Sequence, residues 1–310
     1  MFPAVSGRFF KTLAKKPEHA LVVRSFAKVN LALAVLARRA DGFHEIRTVF
    51  QTIDLHDEIE FLPSADLRLD CIGLPDVPAE SNLVWKAAQE LLRLASPAKG
   101  ARIILRKEIP AGAGLGGGSS NAAATLLGLA RFWGIEIPGK DLRQIASRLG
   151  SDVPFFLQGG TALGAGRGEE ISPLPEIRPS PLLVVFPGVH ISTAEAYRSL
   201  RLALTSQDAA LRIQRFCDRL PDSSGCLTGI FNDFETSILP AYPAVGEAKA
   251  FLKSRGAIAT LLSGSGSSVF GFFLDEESTL AASREIKRDA WRAFPAKTLS
   301  RAEYLQQLWG

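Results

Sequence analysis

Several absences narrow what this 310-residue chain can be. It has no uninterrupted run of roughly 18 apolar residues, so no transmembrane helix is expected. Its three cysteines, Cys71, Cys217 and Cys226, form neither a CxxC pair nor an even framework. That excludes a disulfide scaffold and makes a reducing cytoplasm the expected setting. Four histidines, His19, His44, His56 and His190, make no HExxH and no His/Cys metal spacing. Charge of one sign is scarce as well: 36 Lys and Arg against 32 Asp and Glu leave a net +4. This balance suits a small anionic ligand and lacks the basic stripe of a nucleic-acid binder, so neither nucleic acid nor membrane is expected as a partner. No internal repeat is found. Residues 1–20 are basic and partly apolar around Phe9-Phe10-Lys11, without the long apolar stretch and cleavage signal of a secretory peptide. They read as a disordered or loosely attached extension.

What the chain has in abundance is glycine in one place. Pro110-Ala-Gly-Ala-Gly-Leu-Gly-Gly-Gly-Ser-Ser-Asn-Ala-Ala-Ala124 sets small residues at 111–114 and 116–118, then the hydroxyls of Ser119 and Ser120, then a helix-forming run. Glycines admit positive φ and close approach of a ligand. The first N–H groups of a helix have no internal partner, so a polyphosphate is the natural occupant of such a junction. No lysine lies between Pro110 and Leu127, which removes the P-loop reading. A dinucleotide fingerprint is met literally by Gly112-x-Gly114-x-x-Gly117, with Glu136 about 20 residues on. It leaves Pro110 and the Ser119-Ser120 pair without a role.

In order, Leu21–Ala27 and Val29–Leu36 read as strands, with an Asp41-Gly42 turn after them. Strands 45–54, 57–61 and 68–72 follow, then an amphipathic helix over 81–94 capped by Ser81 or Asn82. Strand 101–106 leads into the glycine stretch, whose helix runs to about Trp133, and a further helix ends near Gly150. Strands followed by helices predict an α+β fold rather than the βαβ alternation of a dinucleotide domain. A second glycine-rich segment spans Gly159–Glu170, and the proline-rich stretch 173–181 reads as the boundary between halves, at 21–172 and 173–310. Beyond it come a strand over 182–186, helices near 193–200, 207–215 and 245–255, and strands 257–262 and 269–274 around Ser263-Gly-Ser-Gly-Ser-Ser268. A helix over 276–293 and a strand near 297–300 complete the reading.

Three segments, taken together and in order, resemble the signature regions of the galactokinase, homoserine, mevalonate and phosphomevalonate (GHMP) kinases. They are Ala27-Lys-Val-Asn-Leu31, the glycine stretch, and Leu262-Ser-Gly-Ser-Gly-Ser-Ser-Val269. The resemblance runs from about Val22 to Ala302. It implies two α+β lobes, an N-terminal one like ribosomal protein S5 and a C-terminal α/β sandwich, with the active site between them. It also implies a small-molecule kinase with ATP as co-substrate and Mg²⁺. Arg39-Ala-Asp-Gly-Phe-His-Glu45 and Leu149-Gly-Ser-Asp-Val-Pro-Phe-Phe156 look like the branch whose acceptor carries a cytidine diphosphate group.

By that resemblance Asp152 and Lys28 carry the chemistry. A carboxylate can orient an alcohol and take its proton, and a nearby ammonium favours its ionised form and stabilises charge on the reacting oxygen. Read from residues alone, Asp152 is equally a helix N-cap and Lys28 an edge lysine reaching for solvent. Pro110, Ala111, Gly112, Ala113, Gly114, Leu115, Gly116, Gly117, Gly118, Ser119 and Ser120 are expected at ATP, with Ser119 or Ser120 at Mg²⁺. Asn82 and Lys107 match positions near the nucleotide in relatives. Asn30, Gly264 and Gly266 are expected at the acceptor, Phe43 and Tyr197 as rings stacking on cytosine, and His44 at the base's edge. Phe43 stands where many relatives carry tyrosine, keeping the face and losing the hydroxyl. The competing readings are a homoserine or mevalonate acceptor, an NAD-dependent oxidoreductase, and a non-enzymatic ATP- or RNA-binding protein. A monomer or weak homodimer is expected.

Overall fold

The computed structural model describes residues 20–73, 78–94, 100–200, 206–220 and 227–310. The extension at 1–19 and Cys226 lie outside the described residues.

Two long strands set the frame. The first, β1 (Leu21–Arg38), and its return partner β2 (His44–Leu62) pair antiparallel along almost their full length, joined by a turn in which Gly42 has φ 86°. Each was expected as two pieces. They are continuous because β-bulges, at 26–28, 30–32 and 35–37, absorb the breaks in alternation without ending the ladder. The other strands of this sheet are β3 (Leu67–Ile72), β4 (Ala101–Arg106), β5 (Thr161–Ala165), β6 (Glu170–Pro173) and β8 (Phe231–Asn232). The spatial order is β3-β4-β2-β1-β8, with the β5–β6 hairpin joined to the other end of β2.

Three helices, α1 (Leu83–Leu92), α2 (Gly117–Trp133) and α3 (Gly139–Leu149), belong to this half. Asn82 caps α1, its side chain accepting from the Val84 N–H at 2.9 Å. Gly134, at φ 63°, ends α2 at the residue the sequence suggested. Helix α2 leads into α3 rather than a parallel strand, so no βαβ unit surrounds the glycines. Ala122, Ala123, Leu126, Leu127 and Leu129 of α2 lie in a core with Phe61, Ile103 and Phe155.

A second antiparallel sheet is ordered β11-β7-β10-β9, from β7 (Pro181–Phe186), β9 (Ala259–Leu262), β10 (Val269–Phe272) and β11 (Arg292–Lys297). Its helices are α4 (Thr193–Ser199), α5 (Ser206–Arg219), α6 (Glu235–Ala241), α7 (Pro243–Ser254) and α8 (Glu276–Arg284). Helix α8 is shorter than expected, because residues 292–297 pair with β7 and must be extended. A shared core containing Val29, Leu31, Val49, Leu182, Val184, Phe270 and Phe272 joins the sheets. The last helix, α9 (Arg301–Gln307), returns to the first half, where buried Tyr304 donates to the Phe156 carbonyl.

Candidate active site

The glycine stretch forms a tight loop between β4 and α2. Gly112, Gly114 and Gly116 have φ 66°, 82° and 71°, and the residues between them turn inward: Ala113 and Leu115 are buried. The loop is gripped from both halves. Leu115 O accepts from Lys28 N at 2.9 Å, Ala113 O accepts from Ser268 N at 3.0 Å, and Gly114 O accepts from Ser263 Oγ at 2.9 Å. A Cβ on Gly114 would stand 2.1 Å from Ser263 O, and one on Gly266 would stand 2.2 Å from Gly114 N. Gly264 and Gly266 therefore let the 263–268 turn close on the loop. Asn232 steadies that turn, donating to Leu262 O at 2.9 Å and Gly264 O at 2.8 Å.

Lys28 and Asn30 lie two apart on β1 and share a face. The Lys28 ammonium, only 3% exposed, donates to Asn30 Oδ1 at 2.7 Å and Gly114 O at 3.0 Å, and stands 3.4 Å from Asp152 Oδ2. Asn30 in turn donates to Thr48 Oγ1 at 2.7 Å. Asp152 occupies the N-cap position of a short 3-10 helix, Val153–Leu157, yet its side chain makes no capping bond. The carboxylate turns to Lys28 instead, with its side chain 31% exposed. The burial of Lys28 is tolerated because its donors meet oxygen acceptors and a carboxylate.

These groups line one cavity of about 1210 Å³ that extends from the glycine loop to the β1–β2 turn. Phe43, half-exposed, stands at the turn under the Arg167 guanidinium, 4.9 Å from ring centroid to Cζ. Tyr197 of α4 does not stand open opposite Phe43: it stacks on His44, with centroids 4.6 Å apart and planes 19° apart, and meets Phe234 edge-on. Burial, aided by the Arg38 charge, holds the His44 imidazole below its ordinary range. Burial, with the Asp152 charge adding, pushes the Tyr197 hydroxyl well above its range, so it stays a neutral phenol. The charged side chains of the lining are Lys28, Arg38, Arg167 and Arg198 against the single carboxylate of Asp152, a surplus that favours anionic ligands.

The cavity brings together Lys28, Asn30, Phe43, His44, Pro110 through Ser119, Asp152, Tyr197, Gly264 and Gly266. It leaves out three residues expected at the nucleotide. Ser120 is buried and accepts from Ser25 Oγ at 2.8 Å, so its hydroxyl does not face a ligand. Asn82 caps α1. Lys107 is buried in an ion pair with Asp57, whose other oxygen accepts from Glu108 N at 2.7 Å and Ile109 N at 2.8 Å. Asn121 completes this network, donating to Asp57 at 2.8 Å and accepting from Lys107 at 3.2 Å. Burial lowers the Lys107 pKa despite its partner. Ser120 and Lys107 thus anchor the start of α2 from below. Sequence reasoning missed Arg38, Arg167, His190 and Arg198 in the lining. Of these, Arg167 carried a signal, in a second glycine-rich segment left without a role.

A phosphate-type glycine loop facing a buried lysine and an uncapped aspartate, on two joined α+β halves, defines a kinase of the GHMP class. The GHMP kinases N terminal domain matches residues 82–160 and the GHMP kinases C terminal domain matches residues 223–293. The chain belongs to this family. Among its relatives, a 4-diphosphocytidyl-2-C-methyl-D-erythritol kinase of Geobacter sulfurreducens is 40% identical over 283 residues, covering 90% of this chain and 99% of that one. A protein of the same name from Solibacter usitatus is 42% identical over 294 residues, covering 93% and 91%. The crystal structure of a 4-(cytidine 5'-diphospho)-2C-methyl-D-erythritol kinase superposes with a TM-score of 0.77 at 34% identity, covering 90% of this chain and 99% of that one. Homoserine kinase from Cytophaga hutchinsonii, at 19% identity and a TM-score of 0.70, covering 97% of each chain, shares the fold. Among the described residues, no helix is long and apolar enough to cross a membrane.

Proposed function

We propose that the chain transfers the γ-phosphoryl group of ATP to the 2-hydroxyl of 4-diphosphocytidyl-2-C-methyl-D-erythritol, in the non-mevalonate route to isoprenoid precursors. The observation that carries this reading is the convergence, in one cavity, of the α2 N-terminus, the Lys28–Asp152 pair and an aromatic–histidine turn. ATP phosphates lie along the backbone of Gly114–Ser119, where the free N–H groups and the helix dipole favour negative charge. Asp152 accepts a hydrogen bond from the acceptor hydroxyl, orients it and receives its proton as the new P–O bond forms. Lys28 holds Asp152 ionised and stabilises charge on the reacting oxygen. Because Lys28 also donates to Gly114 O, it fixes the spacing between phosphate loop and carboxylate, and positioning of this kind dominates phosphoryl transfer.

Mg²⁺ fits this donor set. Among the described residues no cluster of three or more His, Cys, Asp or Glu side chains could hold a metal. Asp152 and the half-buried Ser119 both line the cavity. The Ser119 hydroxyl, with phosphates and water, would suit an octahedral, reluctantly dehydrated cation and leave Asp152 to the acceptor hydroxyl. When bound, the ion would neutralise phosphate charge. At the far end, an aromatic face stacks on cytosine and His44 meets its edge; stacking contributes roughly 1–3 kcal/mol per base. Arg38 and Arg198, also in the lining, suit the acceptor's diphosphate.

Phosphorus NMR of the reaction mixture tests this reading. The expected product spectrum adds one phosphomonoester resonance to an intact diphosphate, with one ADP formed per acceptor consumed. A spectrum that changes only with homoserine or mevalonate as acceptor would overturn it.

A further inference from the structure

The β5–β6 turn, residues 166–169, has no part in the reaction as described, yet it touches both ends of the acceptor site. Its Gly166 carbonyl accepts from Ile46 N at 2.8 Å, just after the turn that carries Phe43 and His44. On Gly168 a Cβ would lie 3.9 Å from Asp152 Oδ1. Between them Arg167 is fixed at its base, with its N–H donating to Glu169 Oε2 at 2.6 Å and its Nε to Glu169 Oε1 at 3.2 Å. The rest of the guanidinium lies over the Phe43 ring. Phe43 itself has no other ring partner among the contacts of the described residues, and its side chain is half-exposed. Its backbone N–H donates to Asp41 Oδ1 at 3.1 Å, and Asp41 is held by Arg39 at 3.1 Å. The backbone of the tip is therefore tied, and the aromatic plane is oriented by Arg167.

We propose that Arg167 is a positioning residue for the acceptor's base, acting through the ring of Phe43, which it holds as a flat platform facing the cavity. The inference rests on the cytidine-bearing acceptor of the proposed function. A planar guanidinium on one face of an aromatic ring leaves the other face for the base, and a cation over the ring is attracted by its quadrupole. Lysine would keep the charge and lose the plane. Phe43 lacks a hydroxyl with which to fix its own orientation, so the clamp supplies that constraint.

Calorimetric titration of the full chain with cytidine and with cytidine diphosphate tests this. Arg167→Ala should weaken both ligands by the same factor, roughly three- to tenfold. Arg167→Lys should recover only part of the loss. In a Phe43→Leu background, Arg167→Ala should have no further effect, a coupling that a purely structural role would not produce. Arg167→Met, which keeps the apolar stem, repeats the measurement should the alanine variant fold poorly. Unchanged affinity overturns the proposal, and so does a loss confined to cytidine diphosphate, which would put Arg167 on the phosphates instead. Persistence of the effect in Phe43→Leu overturns it as well. If the wild-type chain binds neither ligand, the cytidine-bearing acceptor itself is wrong and the proposal falls with it; binding that is indifferent to Arg167 leaves the acceptor standing.

Discussion

Lys28 concentrates the physics of the site in one side chain. Its ammonium is buried, and its donors are shared among the strand that bears it, the phosphate loop and the carboxylate. Asp152→Asn should lower kcat by about 100- to 10,000-fold while leaving ATP affinity nearly intact, as read by steady-state kinetics beside ATP titration. The glycines next to Lys28 are equally constrained. Gly114→Ala would force a Cβ into Ser263 O at positive φ, so the turn and the loop must part. Its expected signature is loss of ATP binding together with an unfolding free energy lowered by about 1–3 kcal/mol. His44 sets a pH limit. Its folded-state pKa lies below the ordinary value, so the unfolded chain takes up the proton first. Whatever stability its neutral form contributes is complete above the ordinary imidazole range and is lost as pH falls through it. Acceptor KM should be flat down to the ordinary imidazole value of about 6.5 and rise only on further acidification, as the folded-state imidazole takes up its proton. A KM that instead falls on acidification would mean that the imidazolium binds the acceptor.

At the scale of elements, the phosphate loop and helix α2 were legible because their constraints are local. Positive-φ glycines, small residues and the stop at Gly134 are written in consecutive positions. The β9–β10 hairpin was legible for the same reason. Elements defined by distant partners were not. Residues 292–297 carry a helix-like run before them and become a strand only because β7 offers an edge. The two-residue strand β8 exists because β1 has a free side there, and its Asn232 matters only because the 263–268 turn lies within reach. In the site, Lys28, Asp152 and the loop were legible by resemblance and the Asn82 cap by its local pattern, whereas the inward turn of Ser120 and the ion pair of Lys107 depend on Ser25 and Asp57. No local pattern announces those contacts. Asn82→Ala should cost about 0.5–2 kcal/mol in thermal unfolding through loss of the α1 cap, and Asn82→Asp should retain most of it.

At the scale of the molecule, the two halves are bound by more than one device. They share a core, the 263–268 turn grips the phosphate loop, and the final helix returns with Tyr304 wholly buried against Phe26 and Phe156. A ligand at the loop therefore touches a junction to which both halves contribute. Saturating ATP should stabilise the whole chain in a single transition, by about 2.7 kcal/mol at a hundredfold excess over Kd, while NADH should leave the melting temperature unchanged.

The central claim is that one cavity joins a phosphate loop, a carboxylate–ammonium pair and a base-reading turn into a cytidine-dependent kinase. Its most direct test is ADP release with Mg-ATP and 4-diphosphocytidyl-2-C-methyl-D-erythritol, wild type beside Asp152→Ala, with free methylerythritol as the truncated acceptor. Turnover should need the cytidine group and collapse in the variant. Equal turnover without that group, or a variant as active as the wild type, would contradict it.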